Sequence, residues 1–131
     1  MFAGGIVTVF VTDMDRSVRF YTEQLGLKLL QRYGNQFATI DGGHGLTIGL
    51  HPSASASPAG DKKSGIAIGL YLTAPIRDAV TALSGRGVVF DSAIVNEDTV
   101  GQFAYFNDPD GNSLYVAEMK EELKRESAGV R

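Results

Sequence analysis

The feature that most limits what this chain can fold into is that one pattern of elements occurs in it twice. A β-branched and aromatic run, Ile6 to Val11 (IVTVFV), reads as a buried strand. Asp13 and Asp15 follow as N-cap candidates, then apolar residues at helical spacing (Met14, Val18, Tyr21 and Leu25), with Gly26 as a stop. LKLLQRY, NQFATID and GLTIGLH are then short strands, separated by Gly34-Asn35 and Asp41-Gly42-Gly43. Roughly 60 residues on, the order restarts with GIAIGLYL and a helix marked by Ile76, Val80 and Leu83 that ends at Gly85 and Gly87. VVFDSAIV, QFAYFN and SLYVAE close the second copy as strands, the last two joined by the turn DPDGN.

Two βαβββ modules, about 5–51 and 65–118, predict an α+β fold made by duplication, in which one half cannot cover its sheet alone. At 131 residues the chain is expected to be a single domain. Between the modules PSASASPAGDKKS, about 52–64, is small, polar and proline-broken, as a linker is. At the end MKEELKRES, about 119–127, reads as a charged surface helix with Glu121 and Arg125 paired at i, i+4.

Composition narrows the chemistry. The absence of cysteine excludes disulfides, thiolate metal sites and a cysteine nucleophile, and two histidines, His44 and His51, exclude a histidine-rich metal centre. A net charge of −3 with scattered basic residues gives no reason to meet nucleic acid. No apolar run nears the roughly 20 residues of a membrane span, and MFAGGIVTVFVTD has no signal-peptide pattern, so a cytoplasmic protein is expected.

VTVFVTDMDRSVRFYTEQLG, with Asp13, Ser17, Phe20-Tyr21 and Leu25-Gly26, and FNDPDGNSLYVAE together resemble the vicinal oxygen chelate superfamily, which unites glyoxalases, bleomycin-resistance proteins and dioxygenases. The resemblance runs from about Ile6 to Glu118. It implies two modules forming a cupped, mixed or mostly antiparallel sheet with helices outside, a ligand site in the cup, and pairing into a homodimer. Family enzymes hold a divalent metal through His or Glu at four positions. Carried over, these fall on Ile6, on Gly49, in the strand from Ser64 to Leu72, which has no His or carboxylate, and on Tyr115, where DPDGNxIE becomes DPDGNSLY. None is a good ligand, so no metal cofactor is expected, and the isomerase, ring-cleaving and thiol-adding chemistries of the family are disfavoured. The histidines do not rebuild a site, since seven residues of strand would separate them by about 23 Å.

Strand alternation puts His51 on the face of Thr47 and Gly49, the face that the resemblance turns into the cup. His51 is therefore a candidate hydrogen-bonding group and a weak candidate for a general base. Tyr115 is a candidate hydrogen-bond donor, and Phe10, beside Thr8 on the face of Ile6, and Phe103 with Tyr105 are candidate aromatic walls. Tyr71 is of uncertain facing. Each also has a plainer reading as core. His44 reads as a solvated turn residue, Asp13, Asp108 and Asp110 as cap and turn residues, and Glu118 as facing the opposite side of its strand from Tyr115. Gly101 and Asn96-Glu97-Asp98 read as a rim loop.

The expectation is a metal-independent binder of a small organic molecule held in the sheet cup, with drug sequestration of the bleomycin-resistance kind as one form of it. The alternatives are a glyoxalase-like lyase or isomerase, or a dioxygenase-related enzyme, using His51 or an atypical metal site, and an interaction module with a filled cup.

Overall fold

The computed structural model describes residue 1 and residues 5–53, 66–97 and 100–120. The chain divides into two compact units, residues 1–65 with 107–112 and residues 66–106 with 113–131.

The first unit runs β1 (Val7–Val11), α1 (Met14–Arg19), a π-helical turn (Phe20–Gln24), β2 (Lys28–Tyr33), β3 (Phe37–Gly43) and β4 (Leu46–Pro52). Its sheet has the order β1-β4-β3-β2, with β1 parallel to β4 and the other pairs antiparallel. The second unit runs β5 (Ile68–Tyr71), α2 (Ile76–Gly85), β6 (Val95–Glu97), β7 (Gly101–Asn107) and β8 (Ser113–Met119). Its sheet, β5-β8-β7-β6, repeats the topology, with β5 parallel to β8. The fold is α+β, with two four-stranded mixed sheets built from one βαβββ plan.

Alternation decides which face of each sheet is core. In the first unit Val9, Val11, Ala38, Ile40, Ile48 and Leu50 are buried together with Met14, Val18, Phe20 and Tyr21 of the helical segment. Asp13 caps α1 from extended backbone (φ −137°), accepting a hydrogen bond from Arg16 N at 3.1 Å. The helix widens at Phe20, and this lets the adjacent Phe20 and Tyr21 both be buried, which regular helical spacing from Met14 and Val18 would not predict. In the second unit Ile68, Ala104, Phe106, Leu114 and Val116 are buried with Ile76 and Leu83 of α2.

Five expectations need correction. The run from Ile6 to Val11 is not a wholly buried strand. β1 lies at a sheet edge with β4 as its one partner, so only Val9 and Val11 are buried, while Phe10 stays 51% and Ile6 47% exposed. The expected strand VVFDSAIV is not formed as such. Val88 is buried and Phe90 makes an isolated bridge to Phe106, but Asp91-Ser92 favour a bend, and Asp91 N is held by the Tyr105 carbonyl at 2.7 Å. The sixth strand falls later, and it takes up Asn96 and Glu97, which had been read as a rim loop; Asp98 lies outside the described residues. The expected linker yields Pro52 to β4, and residues 54–64 lie outside the described residues. The expected C-terminal helix yields Met119 to β8, and its residues 121–127 lie outside them too.

Candidate functional site

In the first unit the parallel register places Thr8 beside Gly49 and Phe10 beside His51, and the antiparallel register places Thr39 beside Gly49 and Asp41 beside Thr47. Paired residues share a face, so Thr8, Phe10, Thr47, Gly49 and His51 lie together on the side turned away from the core. The His51 ring stands edge-on to Phe10 (centroids 5.7 Å, 69°) and to Phe37 (6.3 Å, 67°). Its Nδ1 lies 3.0 Å from the Pro52 carbonyl oxygen. A carbonyl only accepts, so Nδ1 carries a proton, and in the neutral form of the ring Nε2 is then the acceptor. Phe37 was missed as a wall residue, although alternation through Phe37 and Thr39 in NQFATID signals its face.

Gly49 is buried under its neighbours. A Cβ there would meet Ile6 Cδ1 at 3.0 Å and Phe37 Cζ at 3.1 Å. The second unit repeats the device. Gly69 pairs with Tyr115 in the parallel register, and a Cβ at Gly69 would run into the Tyr115 ring, with Cε1 at 2.6 Å. Tyr115 is half-buried at the centre of an aromatic cluster, 5.9 Å from Phe103 and 5.4 Å from Tyr105 between ring centroids. Its phenol is pushed above its ordinary value of 10.0, first by burial and then by the neighbouring Tyr71 and Tyr105 hydroxyls. Tyr71, paired in register with Ala117, therefore belongs to the same face. The structure thus gathers His51, Thr47 and Phe10 on one sheet, and Tyr115, Phe103 and Tyr105 on the other.

The four positions at which family enzymes hold a metal do not fit one. Ile6 and Gly49 are a methyl lid and the glycine beneath it, and Tyr115 is a neutral phenol lying over Gly69. In β5 and the residues before it, 66–71, there is no oxygen or nitrogen ligand side chain except the Tyr71 phenol. By the internal repeat Ala67 stands there where Ile6 stands in the first unit. Among the described residues no three His, Asp or Glu side chains come together as a metal would require.

The carboxylates are occupied elsewhere. Asp110 Oδ1 accepts from Thr12 N (3.2 Å) and Thr12 Oγ1 (2.7 Å), and its Oδ2 accepts from Ser17 Oγ at 3.4 Å, with Arg16 3.6 Å away. Asp108 Oδ1 accepts from the backbone of Asp110 and Asn112, and Oδ2 accepts from Asn112 Nδ2 and from the buried Tyr21 hydroxyl, both at 2.8 Å. Burial raises the Asp108 carboxyl above its ordinary 3.8 against the pull of these four hydrogen bonds. The same burial, with Asp108 alongside, raises the Tyr21 phenol well above its ordinary range. Glu118 points to the core side of β8, where Oε1 accepts from Ile76 N at 2.9 Å and so caps α2 behind Pro75. The lone histidine in the β3–β4 turn, His44, is exposed with φ +47°.

Among the described residues no helix is long and apolar enough to cross a membrane. No curated protein matches the sequence. The fold is shared with a glyoxalase/bleomycin resistance protein/dioxygenase from Nocardioides (23% identity, TM-score 0.68, covering 92% of this chain and 87% of that one). It is shared as well with a lactoylglutathione lyase from Agrobacterium tumefaciens (18%, 0.69, 88% and 92%) and a glyoxalase/dioxygenase from Nostoc punctiforme (22%, 0.68, 87% and 88%). At such identities these likenesses speak to fold alone. The family profile described as Glyoxalase/Bleomycin resistance protein/Dioxygenase superfamily matches residues 5–116, nearly the whole span of the two modules, and the chain belongs to that superfamily.

Proposed function

We propose that the protein binds a small, partly aromatic or amphiphilic organic molecule on these sheet faces without a metal, as a sequestering protein does. One observation carries the reading: where a metal enzyme of this fold needs ligands, the chain has packed hydrocarbon and phenol over glycine, Ile6 over Gly49 and Tyr115 over Gly69. Binding then rests on burying rings against Phe10 and Phe37 on the one sheet, or against Phe103 and Tyr105 on the other, at about 25 cal/mol per Å² of apolar surface removed from water. On the first sheet His51 Nε2 as acceptor and Thr47 Oγ1 as donor supply direction, and on the second Tyr115 Oη as donor does so.

A second reading, metal-free proton transfer by His51, is favoured by the hydrogen bond that fixes its tautomer and leaves Nε2 as a base. Native mass spectrometry of the purified protein separates them. The proposal expects a metal-free homodimer, an organic adduct retained or acquired from a panel of planar aromatic compounds, and a higher melting temperature with the adduct. A stoichiometric divalent metal on each subunit would overturn it. Turnover lost in His51→Ala, with affinity kept, would move the assignment to the second reading.

A further inference from the structure

Resting on the binding reading, we infer that the aromatic face of the second unit is selective for organic cations of the quaternary-ammonium type. Tyr71, Phe103, Tyr105 and Tyr115 lie on one side of the β5-β8-β7-β6 sheet, with Tyr115 between Phe103 and Tyr105 at ring distances of 5.9 and 5.4 Å. Tyr71 and Tyr105 remain 62% and 37% exposed, so ring surface is available to a ligand. The rings are neither stacked face to face nor sealed: the Phe103 and Tyr105 planes are inclined to Tyr115 by 72° and 50°. Rings inclined in this way leave face area unstacked, and an exposed ring face, with the negative side of its quadrupole outward, attracts an alkylated ammonium.

The charge around the cluster has the matching sign. Register places Val95 beside Phe103 and Glu97 beside Gly101, so the Glu97 carboxylate lies on the aromatic side of the sheet, about two strand residues along from the cluster. Of the cations among the described residues of this unit, the two arginines lie elsewhere. Arg77 is on α2 and Arg86 at its C-cap, on the far side of the sheet. Lys120 lines a small polar recess of about 300 Å³ with Asn96, Gly101, Gln102, Glu118 and Met119, at the end of β7 that pairs with Glu97. An anionic ligand at the rings would meet the Glu97 carboxylate on the same side of the sheet, and a neutral one would gain burial alone. A cation gains burial, the ring faces and the carboxylate.

The test compares choline with 3,3-dimethylbutan-1-ol, which has the same shape and no charge, by titrating each into the full chain and following the tyrosine and phenylalanine ring resonances by NMR. Choline is expected to bind at least about fivefold more tightly, the factor that corresponds to roughly 1 kcal/mol of cation–ring attraction. Tyr71→Leu and Tyr105→Leu, each checked for an unchanged circular dichroism spectrum, are expected to remove most of that advantage, and Tyr71→Phe and Tyr105→Phe to keep it within twofold. Equal affinity for the two probes overturns the cation preference while leaving the general binding reading in place. Choline binding that survives both leucine variants, or that is lost equally in the phenylalanine variants, overturns the assignment to the ring faces. Failure of the binding reading itself would show differently, as no stabilisation by neutral aromatic compounds either.

Discussion

At the scale of single residues, two glycines whose missing side chains are replaced by a neighbour's carry the functional argument. Gly69 is the sharper case, because the Tyr115 ring occupies the place of its Cβ. Gly69→Ala is expected to cost about 1–3 kcal/mol in denaturant melts, as overpacking does, and combining it with Tyr115→Ala should recover part of that loss. A purely additive double mutant would show that the ring is not what excludes the methyl. Asp108 gives a pH-dependent counterpart. Its folded carboxyl titrates above the unfolded value of 3.8, so its contribution is fully present below that value and is lost as pH rises through the folded one. Asp108→Asn has no such loss, so the stability gap between it and wild type should narrow from pH 4 to pH 7; a gap that widens would reverse the direction of the shift. Alternation made the facing of His51, Thr47, Phe10 and Tyr115 legible from spacing alone. It could not say that Ile6 and Phe37 cover Gly49, or that Tyr21 reaches across 87 positions to Asp108, because neither fact has a local signature.

At the scale of elements, the predictable and the unpredictable divide along the range of the forces that set them. The strand–helix order, the Asp13 cap and the DPDGN turn were legible because each is fixed by residues within a few positions of one another. The sixth strand was misplaced because VVFDSAIV carries strand propensity that tertiary pairing overrides: Phe90 spends it on a ring contact with Phe106 at 5.4 Å, and the ladder with β7 starts only at Val95. The π-helical turn was invisible for a similar reason, since burying both Phe20 and Tyr21 rewards a geometry that helical spacing does not encode. The DPDGN turn itself yields a prediction. Gly111 has φ +87° while its N–H donates to the Asp108 carbonyl at 3.0 Å, so the left-handed conformation is part of the turn's bonding. Gly111→Ala is expected to destabilise by about 1–2 kcal/mol, read as a lower midpoint with unchanged slope in urea. An unchanged midpoint would mean that the turn can adopt another form at no cost.

At the scale of the whole molecule, the duplication explains why the fold was readable at all: each half gave the same order independently, and agreement between them is harder to produce by chance than either order alone. What duplication does not show is where the first unit is completed. Residues 107–112, which lie between β7 and β8 in the chain, cluster with residues 1–65. They supply the acceptors for Thr12, Ser17 and the buried Tyr21 hydroxyl. A fragment of residues 1–65 would keep every strand of the first sheet yet leave these donors without their partners. An unmade bond to a buried group costs about 1–3 kcal/mol, and losing the two at Ser17 and Tyr21 would take a large share of the roughly 5–15 kcal/mol that holds a domain together. The fragment is therefore expected to lack cooperative unfolding by circular dichroism, although its first-module sequence is intact. In the full chain the turn is joined covalently at both ends to β7 and β8, the two inner strands of the second sheet, so releasing it disturbs both units. One denaturation transition is expected, shifted to lower urea by Asp110→Ala and by Tyr21→Phe alike. Two separable transitions, or a fragment that melts cooperatively, would show that the first module closes its core without the turn.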